Sequence, residues 1–348
     1  MSKWQFRATS PADEDAVSSF LQRIWGRGPQ EPGLEPRHLH WKNWLERPDW
    51  SGSRGYILTS QDEIVAHGTA VPLSFTAGGE RYTIVHLIDW AAEPKSSGSG
   101  VALLKRMSQS ADAMLTVGGS EMTQKILPAL GFKVRGRAQR FVRPLRPLRR
   151  LTGQKLSARL GAQFARSLAW TWQAPRAQVD GWTMRRVTAE ELVSQAIPWP
   201  KSSAGSMLFE RTPALMAYYL RCPAARLEMH VVSKGGSTLG YFVVAFAPAQ
   251  ARIVDLWVDS ADRGDWCALV QLAVQQACQD QQVAEVISMA SDPAGSQAFL
   301  DAGFHPRGTD ALFLLASNRR ELPEVPITFR MLDGDAAYLR TGTPQFWA

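Results

Sequence analysis

The stretch EPKSSGSGVALLKRM, from Glu93 to Met107, ends a strand-like run with small polar residues and continues as an apolar helix with a basic end. A small-residue turn that opens a helix gathers main-chain N–H groups at the positive end of the helix dipole, which suits a pyrophosphate. Gly98 and Gly100 lack Cβ atoms, which permits close approach of a ligand and unusual backbone angles. Lys95 adds a point charge. The stretch is not a Walker loop, because no Gly-Lys-Ser/Thr follows, and it lacks the third glycine and acidic ribose partner of a dinucleotide fingerprint. Gly/Ser-rich connections are common, so its meaning depends on its surroundings.

Around it, GYILTSQDEIVAHGTAVPL, RYTIVHLIDW, AMLTVGG and AQRFVRPL read as strands from short alternating or continuous apolar runs. SGVALLKRMSQSADA and SEMTQKILPALGF read as helices, with Ser99 and Ser120 as N-caps. The pattern then recurs. ALGFKVRGRAQRFV and DAGFHPRGTDALFL share G-F-x-x-R-G, which matches Arg135 to Arg307 and Phe141 to Phe313. Trp4-x-x-Arg7 matches Trp182-x-x-Arg185, Leu45-x-x-Pro48 matches Leu220-x-x-Pro223, and Asp89 in VHLIDW matches Asp255 in RIVDLW, all in the same order. Such self-similarity predicts one α/β domain built twice. The expected divisions are 1–147, a basic linker helix over 148–180, a second domain over 181–317 and a Pro-containing tail over 318–348.

Charge is concentrated rather than spread. The formal net charge is +7, yet between Glu121 and Asp180 stand thirteen Lys and Arg and no acid. The rest of the chain is therefore net acidic. The basic segment suits nucleic acid, an anionic membrane surface or CoA phosphates, or it is a solvated linker. Cys222, Cys267 and Cys278 are too few and too irregular for a zinc site or disulfide framework and read as buried thiols. No long apolar span or signal-type leader is present, which predicts a cytoplasmic protein.

The first half, Trp4 to about Leu145, resembles the GNAT superfamily of acyl-CoA-dependent N-acyltransferases. In that family a splayed fourth strand leads to an Arg/Gln-x-x-Gly-x-Gly/Ala loop at a helix start, and here Lys95-Ser96-Ser97-Gly98-Ser99-Gly100 stands in that place. SEMTQKILPALGF resembles the family's later helix ending in Gly-Phe. The resemblance implies two tandem GNAT-like domains, each a mixed, mostly antiparallel sheet flanked by helices. It implies acetyl-CoA or another acyl-CoA as co-substrate, held by Ile88, Trp90, Lys95, Ser96, Ser97, Gly98, Ser99, Gly100, Val101 and Ser120. Two positions depart from the pattern. Leu127 stands where the family often has an acidic tyrosine, and Ser120 where it often has asparagine, so proton delivery to the leaving thiolate is unassigned.

Attack by an amine on a thioester requires a neutral nitrogen, so a base near the splayed strand is useful. His86, Asp89, Glu93 and Glu121 are the nearby ionisable groups, and His86, Asp89 and Glu121 are the catalytic candidates. His86 has the near-neutral ordinary pKa for the task and lies nine residues before Lys95. A histidine at that step lies in the catalytic proton path of the serotonin-acetylating branch that the sequence resembles here. Asp89 also has a structural reading, because Asp255 persists in the second half where the loop does not. There KSSGSGVALL becomes ADRGDWCALV, and Gly100 meets Trp266, an indole expected to fill the cofactor position. The second repeat is thus expected to be degenerate.

The insert holding Trp25, Trp41, Trp44 and Trp50 is expected either to stack on a flat acceptor or to cap the core. The whole resembles bacterial two-domain GNAT proteins of polysaccharide synthesis, which implies an amine or amino-sugar acceptor. An aminoacyl-tRNA-dependent transferase of the FemABX type and a non-catalytic CoA-binding scaffold are the alternatives. The Gly98/Gly100 loop argues for CoA, so nucleic acid is not an expected partner. Membrane contact through the basic linker stays open.

Overall fold

Alternating and continuous apolar runs form strands wherever Gly pairs or short polar turns bound them. In chain order the elements are β1 (Gln5–Ala8), α1 (Glu14–Trp25), α2 (Pro36–Asn43), β2 (Gly55–Ser60), β3 (Glu63–Ala77), β4 (Glu80–Ala92), α3 (Ser99–Met107), β5 (Ala113–Val117), α4 (Glu121–Ala129) and β6 (Lys133–Pro144). After α5 (Ala158–Gln173) follow β7 (Trp182–Val187), β8 (Met207–Leu208), α6 (Pro213–Leu220), β9 (Arg226–Lys234), β10 (Ser237–Ala247), β11 (Gln250–Val258), α7 (Arg263–Gln279), β12 (Glu285–Ala290), α8 (Pro293–Asp301), β13 (His305–Ala316) and β14 (Ile327–Thr328). The computed structural model describes residues 4–28, 31–151, 158–175, 177–201, 205–317, 319–338 and 346–348.

Among the described residues twelve strands make one continuous sheet in the order β1-β2-β3-β4-β5-β13-β6-β12-β11-β10-β9-β7. Most neighbours are antiparallel; β4 with β5 and β11 with β12 are parallel. The last strand of each half crosses over. β13, from the end of the chain, pairs with β5 of the first half, and β6 pairs with β12 of the second. The cut between 147 and 181 therefore divides the sequence, while the sheet runs through both parts.

The core follows the same plan. Leu73, Phe75 and Ile84 from β3 and β4 pack in one cluster with Met216, Tyr241 and Phe329 from the second half. Trp41 of α2 stacks on Tyr218 of α6 at 4.9 Å between ring centres. On the other side of the sheet, α3 covers the first half with Leu103, Leu104 and Met107, and α7 and α8 cover the second with Leu269, Ala273 and Phe299.

Much of the basic segment is absorbed by the fold. Arg146 donates to the main-chain oxygens of Cys278 in the last turn of α7 and of Asp280 and Val283 just after it, where helical donors run out. Arg143 donates to the carbonyl of Ala302 at 2.6 Å, and Arg140 and Arg135 pair with Asp310 and Glu324. Lys155 and Arg176 lie outside the described residues. Among the described residues no helix is long and apolar enough to cross a membrane.

One helix cap differs from expectation. Ser120 caps α4 by accepting from the Thr123 amide, but α3 is preceded by Gly98 in a left-handed conformation. Ser99 is the first helical residue, and its hydroxyl donates to the carbonyl of Val65 at 3.2 Å. The α3 start is therefore left without a side-chain cap.

Candidate active site

Parallel pairing of β4 with β5 is confined to Ile84–Ala113, Val85–Met114 and His86–Leu115. Beyond that point both strands continue but diverge, so the facing edges of Leu87–Trp90 and Thr116–Val117 do not bond to each other. A bulge helps open the wedge: Asp89 has φ of 51°, and the β3–β4 register slips between His67 and Thr69. The result is a cavity of about 550 Å³ lined by residues 86–90, 116–120 and 123, together with Trp25, Arg27 and Asp335. Unpaired strand edges along such a wedge can bond a ligand that carries amides of its own.

Of the residues singled out from sequence, His86, Ile88, Asp89, Trp90 and Ser120 line this cavity. Lys95, Ser96, Ser97, Gly98, Ser99, Gly100 and Val101 lie outside its lining, at the start of α3. The two regions meet where the Trp90 indole donates to the carbonyl of Gly100 at 3.0 Å. Glu121 is exposed and pairs with Lys125 at 2.8 Å, away from the cavity. Glu93 pairs with Arg23. Of the four tryptophans in the insert, Trp25 alone lines the cavity; Trp41 is core, and Trp44 donates to Thr9.

The loop before α3 has the chemistry of an anion cradle. The amides of Ser96 and Ser99 bond to Glu93 and Ser96 carbonyls, whereas those of Ser97, Gly98, Gly100 and Val101 have no acceptor among the described residues. Gly98 has φ of 85°, which an L side chain rarely adopts. A Cβ on Gly100 would lie 3.0 Å from that of Ala92, so a larger side chain would force the loop and β4 apart.

In the second half the equivalent helix start is closed. The Asp262 carboxylate accepts from the Asp265 amide at 3.0 Å, and Ser260 accepts from the Asp262 amide at 3.1 Å. A built-in carboxylate thus occupies the helix N-terminus. Trp266 packs at the wall with its indole N–H bonded to the Ser260 carbonyl at 2.9 Å.

Around the first cavity the titratable groups are strongly tuned. His86 is buried, which lowers its pKa to about 4, and its Nδ1 lies 3.1 Å from the carbonyl of Asp333. A carbonyl only accepts, so Nδ1 carries the proton and the Nε2 lone pair is free. Beneath the cavity Asp89 forms a buried ion pair with Lys42. Burial opposes ionisation of Asp89, but Lys42 outweighs it and holds the carboxyl below its usual range. Asp89 thus faces the cavity while committed to Lys42.

Asp335 was not among the candidates read from sequence. Burial, followed by the Asp89 charge, raises its pKa to about 6. It arrives on the segment after β14, far along the chain from β4, so no spacing motif connects it to the loop. A polar GDAAY turn in a tail is the only local signal, and it is a weak one. Thr116 is also at the wall, its buried hydroxyl without a partner among the described residues.

No family model matches the sequence, and no curated protein sequence matches it. The fold does have solved counterparts. The chain is similar to N-myristoyltransferase from Saccharomyces cerevisiae, solved with bound myristoyl-CoA and inhibitors: TM-score 0.59, 14% identity, 91% of this chain and 80% of that one. It is also similar to a GCN5-related N-acetyltransferase from Anabaena variabilis: TM-score 0.57, 12% identity, 89% of this chain and 72% of that one. At these identities the likeness concerns the fold.

Proposed function

We propose, from the GNAT fold that this chain carries, that it transfers an acyl group from acyl-CoA to an amine, with the chemistry confined to the first cavity. The observation that carries this reading is the wedge between β4 and β5 beside a helix start whose amides at Ser97, Gly98, Gly100 and Val101 are uncommitted. The residues fit the co-substrate: those amides and Lys95 would hold its pyrophosphate, and the free edges of β4 and β5 would bond its amide-bearing arm. When bound, acyl-CoA supplies an activated acyl group and a thiolate leaving group.

The chain's own groups handle the proton. Asp335, ionised above about pH 6, can take the proton that an ammonium acceptor must lose before its nitrogen becomes a nucleophile. His86, neutral with its Nε2 lone pair free, can orient the acceptor N–H. The uncommitted Thr116 hydroxyl is a candidate donor where negative charge develops. Lys42 and Asp89 hold the floor and set the field felt by Asp335.

In the finer reading, the chain is a tandem duplication with one working cradle, the donor is acetyl-CoA, and the acceptor is an amino sugar in cytoplasmic polysaccharide synthesis. Exclusion of phosphate from the second helix start by Asp262 supports a single cradle. Calorimetric titration with acetyl-CoA tests the donor. Binding is expected for the native chain and is expected to be lost in Gly100→Trp; failure to bind any acyl-CoA of short or long chain refutes the reading. A screen of amines and amino sugars then identifies the acceptor.

A further inference from the structure

The second half repeats the wedge without the cradle. β11 and β12 pair in parallel from Gln250–Glu285 to Ile253–Ser288 and then separate. Beyond the separation is a cavity of about 670 Å³, lined by Trp257 and Trp266 on one side and Asp292, Gln297, Thr328 and Arg330 among its polar residues. Trp266, expected to fill the site, forms its wall instead: the two indoles meet edge to face, 5.5 Å apart at 86°. The cavity remains open.

We infer that this second cavity binds a pyranose sugar. Its volume falls in the range of small-ligand sites. Trp257 is half-buried and held against Trp266, so it offers the kind of fixed flat apolar face against which the C–H face of a sugar ring packs. Beside it, Asp292 pairs with buried Arg330 and also accepts from the Gly295 amide at 2.7 Å. The pair's facing atoms are buried and fix the Asp292 carboxylate at the wall, beside the amide of Gln297 and the hydroxyl of Thr328, which together offer donors and acceptors to neighbouring hydroxyls.

Other ligand classes fit less well. Lys201, Arg263 and Arg330 also line the cavity, but Arg263 and Arg330 are already paired with Asp301 and Asp292. A phosphate would meet the Asp292 carboxylate, and the starts of α7 and α8 are already capped by Asp262 and Asp292. A purely hydrocarbon chain would cover the half-buried polar side chains of Gln297 and Thr328 and return no hydrogen bond. Sugar hydroxyls serve those side chains.

The two cavities are neighbours. Val117 at the end of β5 lies opposite Leu312, which lies opposite Gly136 of β6, while Ala290 at the end of β12 lies opposite Gln139 of the same strand. Thr328 and Arg330 border the second cavity, and Asp335 of the same segment borders the first.

Saturation-transfer NMR on the full chain, without acyl-CoA, tests the inference with glucose, glucosamine, N-acetylglucosamine and glucuronic acid at millimolar concentration. At least one is expected to bind the native chain and Gly100→Trp alike, because the site does not depend on the first cavity. Ala294→Trp, which places a large side chain at the exposed first turn of α8 on the cavity wall, is expected to abolish that binding. Should that variant fail to fold, Asp292→Asn keeps the shape and cap but removes the charge, and is expected to weaken binding about tenfold. No binding by any of the four sugars, or binding undiminished in the variant measured, overturns the inference.

Discussion

His86 Nδ1 donates to the main-chain carbonyl of Asp333 at 3.1 Å, joining the strand that splays open in the first half to the segment that follows the last strand of the second. The Asp333 side chain faces the other way and pairs with Arg211 at 2.6 Å, which also holds Asp255 at 2.8 Å. One segment is thus clamped on both sides, and it carries Asp335 to the cavity.

Removal of Arg211 should break the clamp. Arg211→Met leaves Asp255 and Asp333 buried without their cation, a change expected to cost about 3–5 kcal/mol. Urea unfolding would measure it. The paired variant Arg211→Met with Asp255→Asn should recover part of the loss, because one of the orphaned charges is then gone.

Asp335→Asn should lower kcat about 100-fold or more while acyl-CoA affinity is kept, since the amide cannot take a proton. In the native chain the rate should rise with pH through about 6, where Asp335 ionises. A pH–rate profile of the variant should lack that limb; a variant that retains both rate and limb would remove Asp335 from the mechanism.

Acid should destabilise the fold through three buried histidines, whose combined effect exceeds the opposite contribution of Asp335, which is raised to about 6 and favours the folded state as it protonates. Burial lowers the pKa of His86 and His67 to about 4 and of His38 to about 3, against an unfolded value of 6.5. A base with a depressed folded pKa leaves the unfolded chain binding more protons in that window, so stability falls as pH drops from 6.5 towards 4. Melting temperatures across that range should show the slope, and His38→Phe should flatten it.

Glu121→Gln should leave turnover and its pH profile unchanged, because Glu121 is solvent-exposed with Lys125 and does not reach the cavity. A large drop in kcat would require the α4 start to move during turnover.

The site was partly legible in the sequence. The helix-opening loop, the strand before it and the Gly-Phe pair after α4 are local features, and period and spacing record local features faithfully. Asp89 and Asp255 were legible as a matched pair, and each proves to be a buried partner of a cation, Lys42 and Arg211. Which cation each would take was not legible, because those contacts bring together residues from separate elements.

By itself, then, the sequence determined the alternation of strands and helices, the likeness between the halves and the small-residue loop that opens α3, since each depends on neighbours along the chain. Tertiary structure alone decided that the final strands cross between halves, that most of the basic segment's described arginines cover carbonyls and carboxylates, and that Asp335 faces His86's strand across a wedge. Those outcomes depend on burial and on long-range pairing. Desolvation gives Asp335 a proton affinity that no local sequence pattern encodes.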